Sequence, residues 1–299
     1  MLILEFLMLA ALWGASFMFT QMGAADFGPL PTAFLRVGLA AVMLLPLLLV
    51  PPIRADFRRH ARAILFVGIF NSGVPFALFA FAVMHVSTGL TSILNATVPL
   101  SGAAVAWIWL GDRPGRARLA GLVTGFAGVL LLVAGTTGWH TAQAADAPSR
   151  WLPLLAMLAA LLGTLCYGYA ASFTKLHLQG VNPLATAMGS QIGAALALAA
   201  PAWWLWPTSA PGRHAWAAVG AVALLCTAIA YILFFRIIER AGPAKALTVT
   251  FLVPVFALCY GALFLGERIT GWMIACGLVI MAGTALSAGL WPGQTVRRA

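Results

Sequence analysis

Charged side chains are what this sequence has least of. They make up 8% of its 299 residues, against ~25% in soluble domains, so no ordinary water-facing surface can be built from them. Seven are acidic, and Glu5, Asp26, Asp56, Asp112, Asp146, Glu239 and Glu267 all fall near the ends of apolar runs or between them. The five histidines also lie at such edges. Proton-driven carriers place Asp, Glu or His at membrane depth, so no carboxylate proton relay is expected and downhill, facilitated movement is favoured. Cys166, Cys226, Cys259 and Cys276 form no C-x-x-C and all lie in apolar stretches. As small buried hydrophobes they imply neither a disulfide frame nor a metal site. Walker A, H-E-x-x-H and G-x-S-x-G patterns are absent too. That leaves an ATP-driven pump or a typical hydrolase nothing to stand on. No cofactor and no enzymatic activity are expected.

What is abundant is apolar. Hydrophobic residues make up 62% of the chain and the mean hydropathy is +0.98, more than a water-soluble core could hide, so lipid is the natural solvent. Ten runs are long enough to span, at 3–23, 31–52, 63–84, 88–110, 117–138, 152–175, 184–206, 215–238, 244–265 and 270–291. The first begins almost at once and lacks a basic leader, so it is read as retained. The net charge of +10 suggests nucleic acid at first sight. The basic residues, however, cluster between spans and not along one face. Apart from Arg36, Arg150, Arg213 and Arg268, every Lys and Arg falls on the side of the membrane that holds the N-terminus. The positive-inside rule then puts both termini in the cytoplasm. Most tryptophans stand near span ends, as an interfacial belt does; Trp13 is the exception.

The chain repeats itself. At an offset of 154, Gly14, Phe19, Thr20, Pro29 and Thr32 meet Gly168, Phe173, Thr174, Pro183 and Thr186. At 155, Val98, Pro99, Gly111, Arg113 and Gly128 meet Val253, Pro254, Gly266, Arg268 and Gly283. Each half holds five spans, an odd number, so the second half enters the membrane inverted. The fold expected is an all-α membrane protein, with ten transmembrane helices as two inverted five-helix repeats around a central cavity. Its parts are a first repeat over 1–138, a connecting loop over 139–151, a second repeat over 152–292 and a cytoplasmic tail over 293–299. Inverted repeats mark secondary transporters, with the substrate site near midplane where the halves meet.

Pro99 and Pro254 stand mid-span at equivalent positions. Each deprives a carbonyl four residues earlier, on Asn95 or Thr250, of its hydrogen bond. A hinge lining the substrate path and a plain packing kink both fit. Thr88, Ser92 and Asn95 share one helical face at steps of four and three, and Thr248 and Thr250 flank Pro254. Asn71 and Ser72 form a similar group on the third span. Trp13, Ser16, Tyr167 and Tyr231 add rings with polar tips, which suit a cavity for apolar or aromatic solutes. Trp13 and Tyr167 are repeat-equivalent. The cavity candidates are thus Trp13, Ser16, Asn71, Ser92, Asn95, Tyr167, Tyr231, Thr248 and Thr250, with Pro99 and Pro254 as hinges. Arg36, about one turn inside the second span, is expected to snorkel to the near interface; contact with an anion or a gate is the alternative. Gly121-x-x-x-Gly125 and Gly189-x-x-x-Gly193 permit close helix contacts, and the first serves either an oligomer or packing within the protomer.

These residues resemble the drug/metabolite transporter superfamily, in particular proteins with two EamA-type repeats, over nearly the whole chain. Leu12-Trp13-Gly14-Ala15-Ser16-Phe17 looks like the family's first-span motif, and Phe34-Leu35-Arg36 like the opening of its second span. Gly111-Asp112-Arg113 and Gly266-Glu267-Arg268 resemble its Gly-Glu-Arg signature after spans four and nine, the first copy with Asp for Glu. The resemblance implies ten helices around a cavity lined by spans 1, 3, 4, 6, 8 and 9. It also implies a bacterial inner-membrane location, a lipid bilayer and a small-molecule substrate as partners, and no nucleic acid. Within the superfamily the chain is similar to the YddG-type exporters of aromatic amino acids. Exporters of drugs, sugar derivatives or other metabolites are the alternative. An intramembrane enzyme and a non-transporting assembly protein are the rivals from other classes.

Overall fold

The structure is a computed structural model that describes residues 2–140, 151–242, 246 and 248–289. Among the described residues every regular element is helical. Ten helical spans follow one another: α1 (Leu2–Phe27), α2 (Pro29–Leu49), α3 (Pro51–Val83), α4 (Thr88–Leu110), α5 (Arg116–His140), α6 (Leu152–His177), α7 (Pro183–Trp204), α8 (Arg213–Ala241), α9 (Thr248–Phe264) and α10 (Gly271–Ser287). The first eight contain stretches long and apolar enough to cross a bilayer alone, and α9 and α10 are shorter apolar helices. Residues 141–150 of the expected connecting loop and the whole expected tail at 293–299 lie outside the described residues.

Local chemistry sets the helix ends. Proline opens α2, α3 and α7, where its missing N–H costs nothing. Ser87, Asn182 and Thr270 cap α4, α7 and α10, their side-chain oxygens accepting from Leu90 N, Leu184 N and Met273 N. Gly111 and Gly266, repeat-equivalent, both take positive φ just after α4 and α9, a conformation that only glycine adopts cheaply.

Helices pack mainly against the opposite half. α1 lies on α8 and α9, and α6 on α3 and α4. In the same way α2 lies on α7 and α8, and α7 on α2 and α3, while α5 pairs with α10. Exchanging the halves maps each of these pairs onto another or onto itself, as two inverted copies require. The Gly121-x-x-x-Gly125 stripe is spent inside the protomer: a Cβ on Gly121 would meet Ser287 N, and one on Gly283 would meet Gly125 N. Gly189 and Gly193 likewise let α7 approach α3 closely. Three of the four cysteines are buried as expected, but Cys259 is exposed, because its side of α9 is not covered by another helix.

Two of the long helices carry a π-helical turn, Ile69–Gly73 in α3 and Leu224–Ile229 in α8. At the 155 offset they coincide, with Ile69 meeting Leu224 and Gly73 meeting Ala228. Such turns leave backbone groups off the i→i−4 ladder and often mark functional sites. They bring Asn71 and Ser72, and in the other half Cys226 and Thr227, to the middle of the bundle.

Candidate functional site

A cavity of about 390 Å³ lies between the halves, within the ~300–1,000 Å³ of small-molecule sites. Its walls come from α1, α3, α4, α6, α8 and α9, with Arg36 from α2. Trp13, Ser16, Asn71, Asn95, Tyr167, Tyr231 and Thr250 all line it. The sequence therefore singled out seven wall residues from six different spans.

The helix breaks account for several of these positions. α4 is helical over Thr88–Asn95, loosens at Ala96 and Thr97, and resumes over Val98–Leu110. α9 opens with a 3-10 turn, Thr248–Phe251, and becomes α-helical over Val253–Phe264. Pro99 and Pro254 are the second residues of the resumed helices, where proline is tolerated. The expected mid-helix kinks are thus full breaks, because each proline starts a new segment instead of bending an old one. Asn95 and Thr250 sit at the breaks and line the cavity, as do Val98 and Val253 beside the prolines.

Two candidates fall elsewhere. Ser92 is fully buried in helix packing and its Oγ donates to Gly89 O at 2.7 Å. It shares a face with Thr88, whose backbone N donates to Glu267 Oε1 at 2.7 Å and whose Oγ1 donates to Glu267 Oε2 at 2.9 Å. That face of α4 is turned to its neighbours at Thr88 and Ser92, and Asn95, the last residue of the segment, reaches the cavity. Thr248, at the start of the 3-10 turn of α9, is not among the wall residues.

Arg36 does not snorkel. It is buried, with 8% of its surface exposed, and among the described residues it is the one charged side chain in the cavity wall. Its Nε donates to Thr227 Oγ1 at 3.0 Å and its guanidinium carbon lies 3.7 Å above the Phe76 ring. The Thr227 hydroxyl and the face of the Phe76 ring hold the guanidinium inside the bundle instead. Thr227 in turn donates to Val222 O at 2.9 Å across the π-helical turn. Arg36 was singled out, with contact with an anion or a gate as the alternative to snorkelling, while Thr227, Cys226 and the phenylalanines of the wall were not. The available signal for Thr227 was Ser72, which lies 155 residues before it and is also polar within an apolar span.

The aromatic wall is mutually braced. Trp13 packs on Phe234 at 5.3 Å, Phe79 stacks on Tyr167 at 6.0 Å, and Phe17 meets Phe79 edge-on at 6.1 Å. Among the described residues no Asp, Glu or His lines the cavity. Both ion pairs found among the described residues belong to Glu5, with Arg236 at 3.1 Å and Arg240 at 2.9 Å, linking α1 to α8. The described residues hold no group of three or more His, Cys, Asp and Glu side chains able to bind a metal ion.

Comparison with known proteins fits this architecture. The model of the EamA-like transporter family matches residues 1–134 and again 154–289. YoaV of Bacillus subtilis (strain 168), named an uncharacterized transporter, is 24% identical over 277 residues, covering 91% of each chain. YedA of Escherichia coli (strain K12), named an uncharacterized inner membrane transporter, is 24% identical over 295 residues, covering 95% of this chain and 90% of YedA. A protein crystal structure with 18% identity superposes with a TM-score of 0.60, covering 95% of this chain and 94% of the other, which supports the fold alone. With two family matches that together span most of its length, the chain belongs to the EamA-like transporter family, within the drug/metabolite transporter superfamily.

Proposed function

We propose that this membrane transporter exports amino acids with aromatic or bulky apolar side chains, or closely related metabolites, by alternating access. The observation that carries the reading is the cavity between the two halves, with its braced aromatic wall and polar groups confined to a few points. Such a wall removes an apolar side chain from water, at ~25 cal/mol per Å² of apolar area buried, while Asn71, Asn95, Tyr231 and Thr250 offer partners to a polar head. Movement is downhill, a reading supported by a wall whose described residues include no Asp, Glu or His to carry a proton. The breaks at Pro99 and Pro254 are the hinges. The protein sits in a bacterial inner membrane with both termini in the cytoplasm, the side that carries most of its basic residues.

The test is uptake of a labelled amino-acid panel into proteoliposomes, with and without proton and sodium gradients. Saturable uptake of phenylalanine, tryptophan or leucine in the absence of a gradient is the expected result. No uptake of any amino acid overturns the substrate class, and uptake that requires a proton gradient overturns the downhill mechanism.

A further inference from the structure

We propose that Arg36 is the carboxylate receptor of the cavity, so that the solutes carried are carboxylates with an aromatic or branched apolar tail, in which an α-ammonium group is dispensable. The inference rests on the reading of this cavity as the solute site and narrows it to a chemical class.

Arg36 is a buried cation with neutral company. Thr227 takes its Nε hydrogen and the Phe76 ring covers one face of the guanidinium. Neither carries a charge, and the ion pairs of the described residues lie at Glu5. A guanidinium taken out of water is costly unless an anion and further hydrogen bonds compensate it. Arginine is also the side chain whose planar fork best fits a carboxylate through two parallel N–H bonds. With Nε engaged and one face covered, the head is already oriented, and the Nη1/Nη2 edge remains to receive the two oxygens.

The repeat supplies an internal control. At the 154 offset of α2 and α7 Arg36 meets Ser190, the neighbour of Gln191, and at the 155 offset of the π-helical turns Thr227 meets Ser72. In the second copy Gln191 Nε2 donates to Ser72 Oγ at 2.9 Å, and both residues are fully buried and off the cavity wall. The same contact between a helix and a π-helical turn is therefore made without charge. Joining the helices does not require an arginine; the charge at Arg36 is additional, and it stands where a solute can reach it.

The opposite end of an amino acid finds no such partner. Among the described residues the wall presents neutral acceptors, and no carboxylate, to an ammonium group. Recognition of charge is thus one-sided: it reads the acid and tolerates loss of the amine. Phe17, Phe79, Val83 and Phe234 take the tail.

The test compares phenylalanine, 3-phenylpropionate, which lacks the amine, and phenethylamine, which lacks the carboxylate, as competitors of labelled phenylalanine uptake and as stabilisers of the purified protein against heat. The expected result is competition by 3-phenylpropionate within about threefold of phenylalanine, with phenethylamine at least tenfold weaker. Arg36→Gln should abolish both the uptake and the heat stabilisation by 3-phenylpropionate, while Arg36→Lys retains part of each. Phenethylamine matching phenylalanine in the wild type overturns the proposal, as does full uptake by Arg36→Gln. If Arg36→Gln fails to fold, the ranking of the three compounds on the wild type decides alone. If no amino acid is carried, the amino-acid reading falls. The receptor then stands only if 3-phenylpropionate stabilises the wild type and phenethylamine does not, and it falls with that reading otherwise.

Discussion

Two helix pairs that the repeat makes equivalent, α3 with α7 and α8 with α2, are packed very differently. On the α3–α7 side a Cβ placed on Gly68 would meet Ser190 O, and one on Gly193 would meet Leu65 O. The backbones are in direct contact. At the matching positions of the other pair, Gly68 and Leu65 become Ala223 and Gly220 at the 155 offset, and Gly189 and Gly193 become Leu35 and Leu39 at the 154 offset that α2 and α7 keep. Gly220 has no atom within 4 Å of such a Cβ. Bulk at Leu35 and Leu39, which pack against Ala215 and Val219 of α8, holds one pair apart, and small residues seal the other. The polar pairs follow suit: Gln191 and Ser72 are enclosed on the sealed side, while Arg36 and Thr227 face the cavity on the open side. One fold repeated twice thus yields a closed contact and an open one, which is the asymmetry a carrier must exchange to move a solute.

The sharpest break in this comparison is Gly193→Leu. Its side chain must displace the Leu65 carbonyl, and overpacking of this kind costs about 1–3 kcal/mol or more. Thermal unfolding in detergent should show a large loss of stability or no folded protein. Gly220→Leu, at the counterpart of Leu65 where nothing lies within 4 Å of a Cβ, should leave stability within about 0.5 kcal/mol. It should also stop uptake if the open pair closes like its counterpart during transport. Full uptake by Gly220→Leu would mean that the two interfaces do not exchange.

Glu267→Gln comes next. Its carboxylate accepts from Thr88 N, Thr88 Oγ1 and Gly89 N at 2.7, 2.9 and 3.2 Å, holding the first turn of α4. Loss of the charge should cost about 1.5–3 kcal/mol, as for other hydrogen bonds to ionised groups, and should lower the melting temperature. Asp112, its repeat counterpart, is exposed, and Asp112→Asn should cost less.

The smallest effects separate the two polar pairs. Ser72→Ala removes the partner of Gln191 and should cost about 1 kcal/mol of stability. Thr227→Ala removes the partner of Arg36 and should lower uptake about fivefold, the equivalent of ~1 kcal/mol. Equal effects of the two variants on uptake would dissolve the distinction between a structural pair and a receptor pair.

Much of the site was legible because polar and aromatic residues stand out in an apolar span. Trp13, Asn71, Asn95, Tyr167 and Tyr231 were visible for that reason, and all of them reach the cavity. Ser92 was misread because one helical face was taken to line the cavity along its whole length, whereas that face packs against neighbouring helices until Asn95 at the end of the segment. Phe76, Phe79 and Phe234 could not be told from lipid-facing phenylalanines, since composition does not distinguish an aromatic ring against lipid from one against a solute. Arg36 was assigned to the interface by its distance from the helix end, yet its partner Thr227 lies 191 residues away.

The sequence alone determined the solvent, the number of spans, the duplication and its inversion. These follow from hydropathy, length and parity, which are properties of the chain read in order. The tertiary structure alone decided which of two equivalent helix pairs is sealed, that the Gly121 stripe serves α10 within the protomer, and that Arg36 faces the cavity. Those outcomes depend on contacts between residues more than a hundred positions apart, where the bulk of one side chain sets the space left to another.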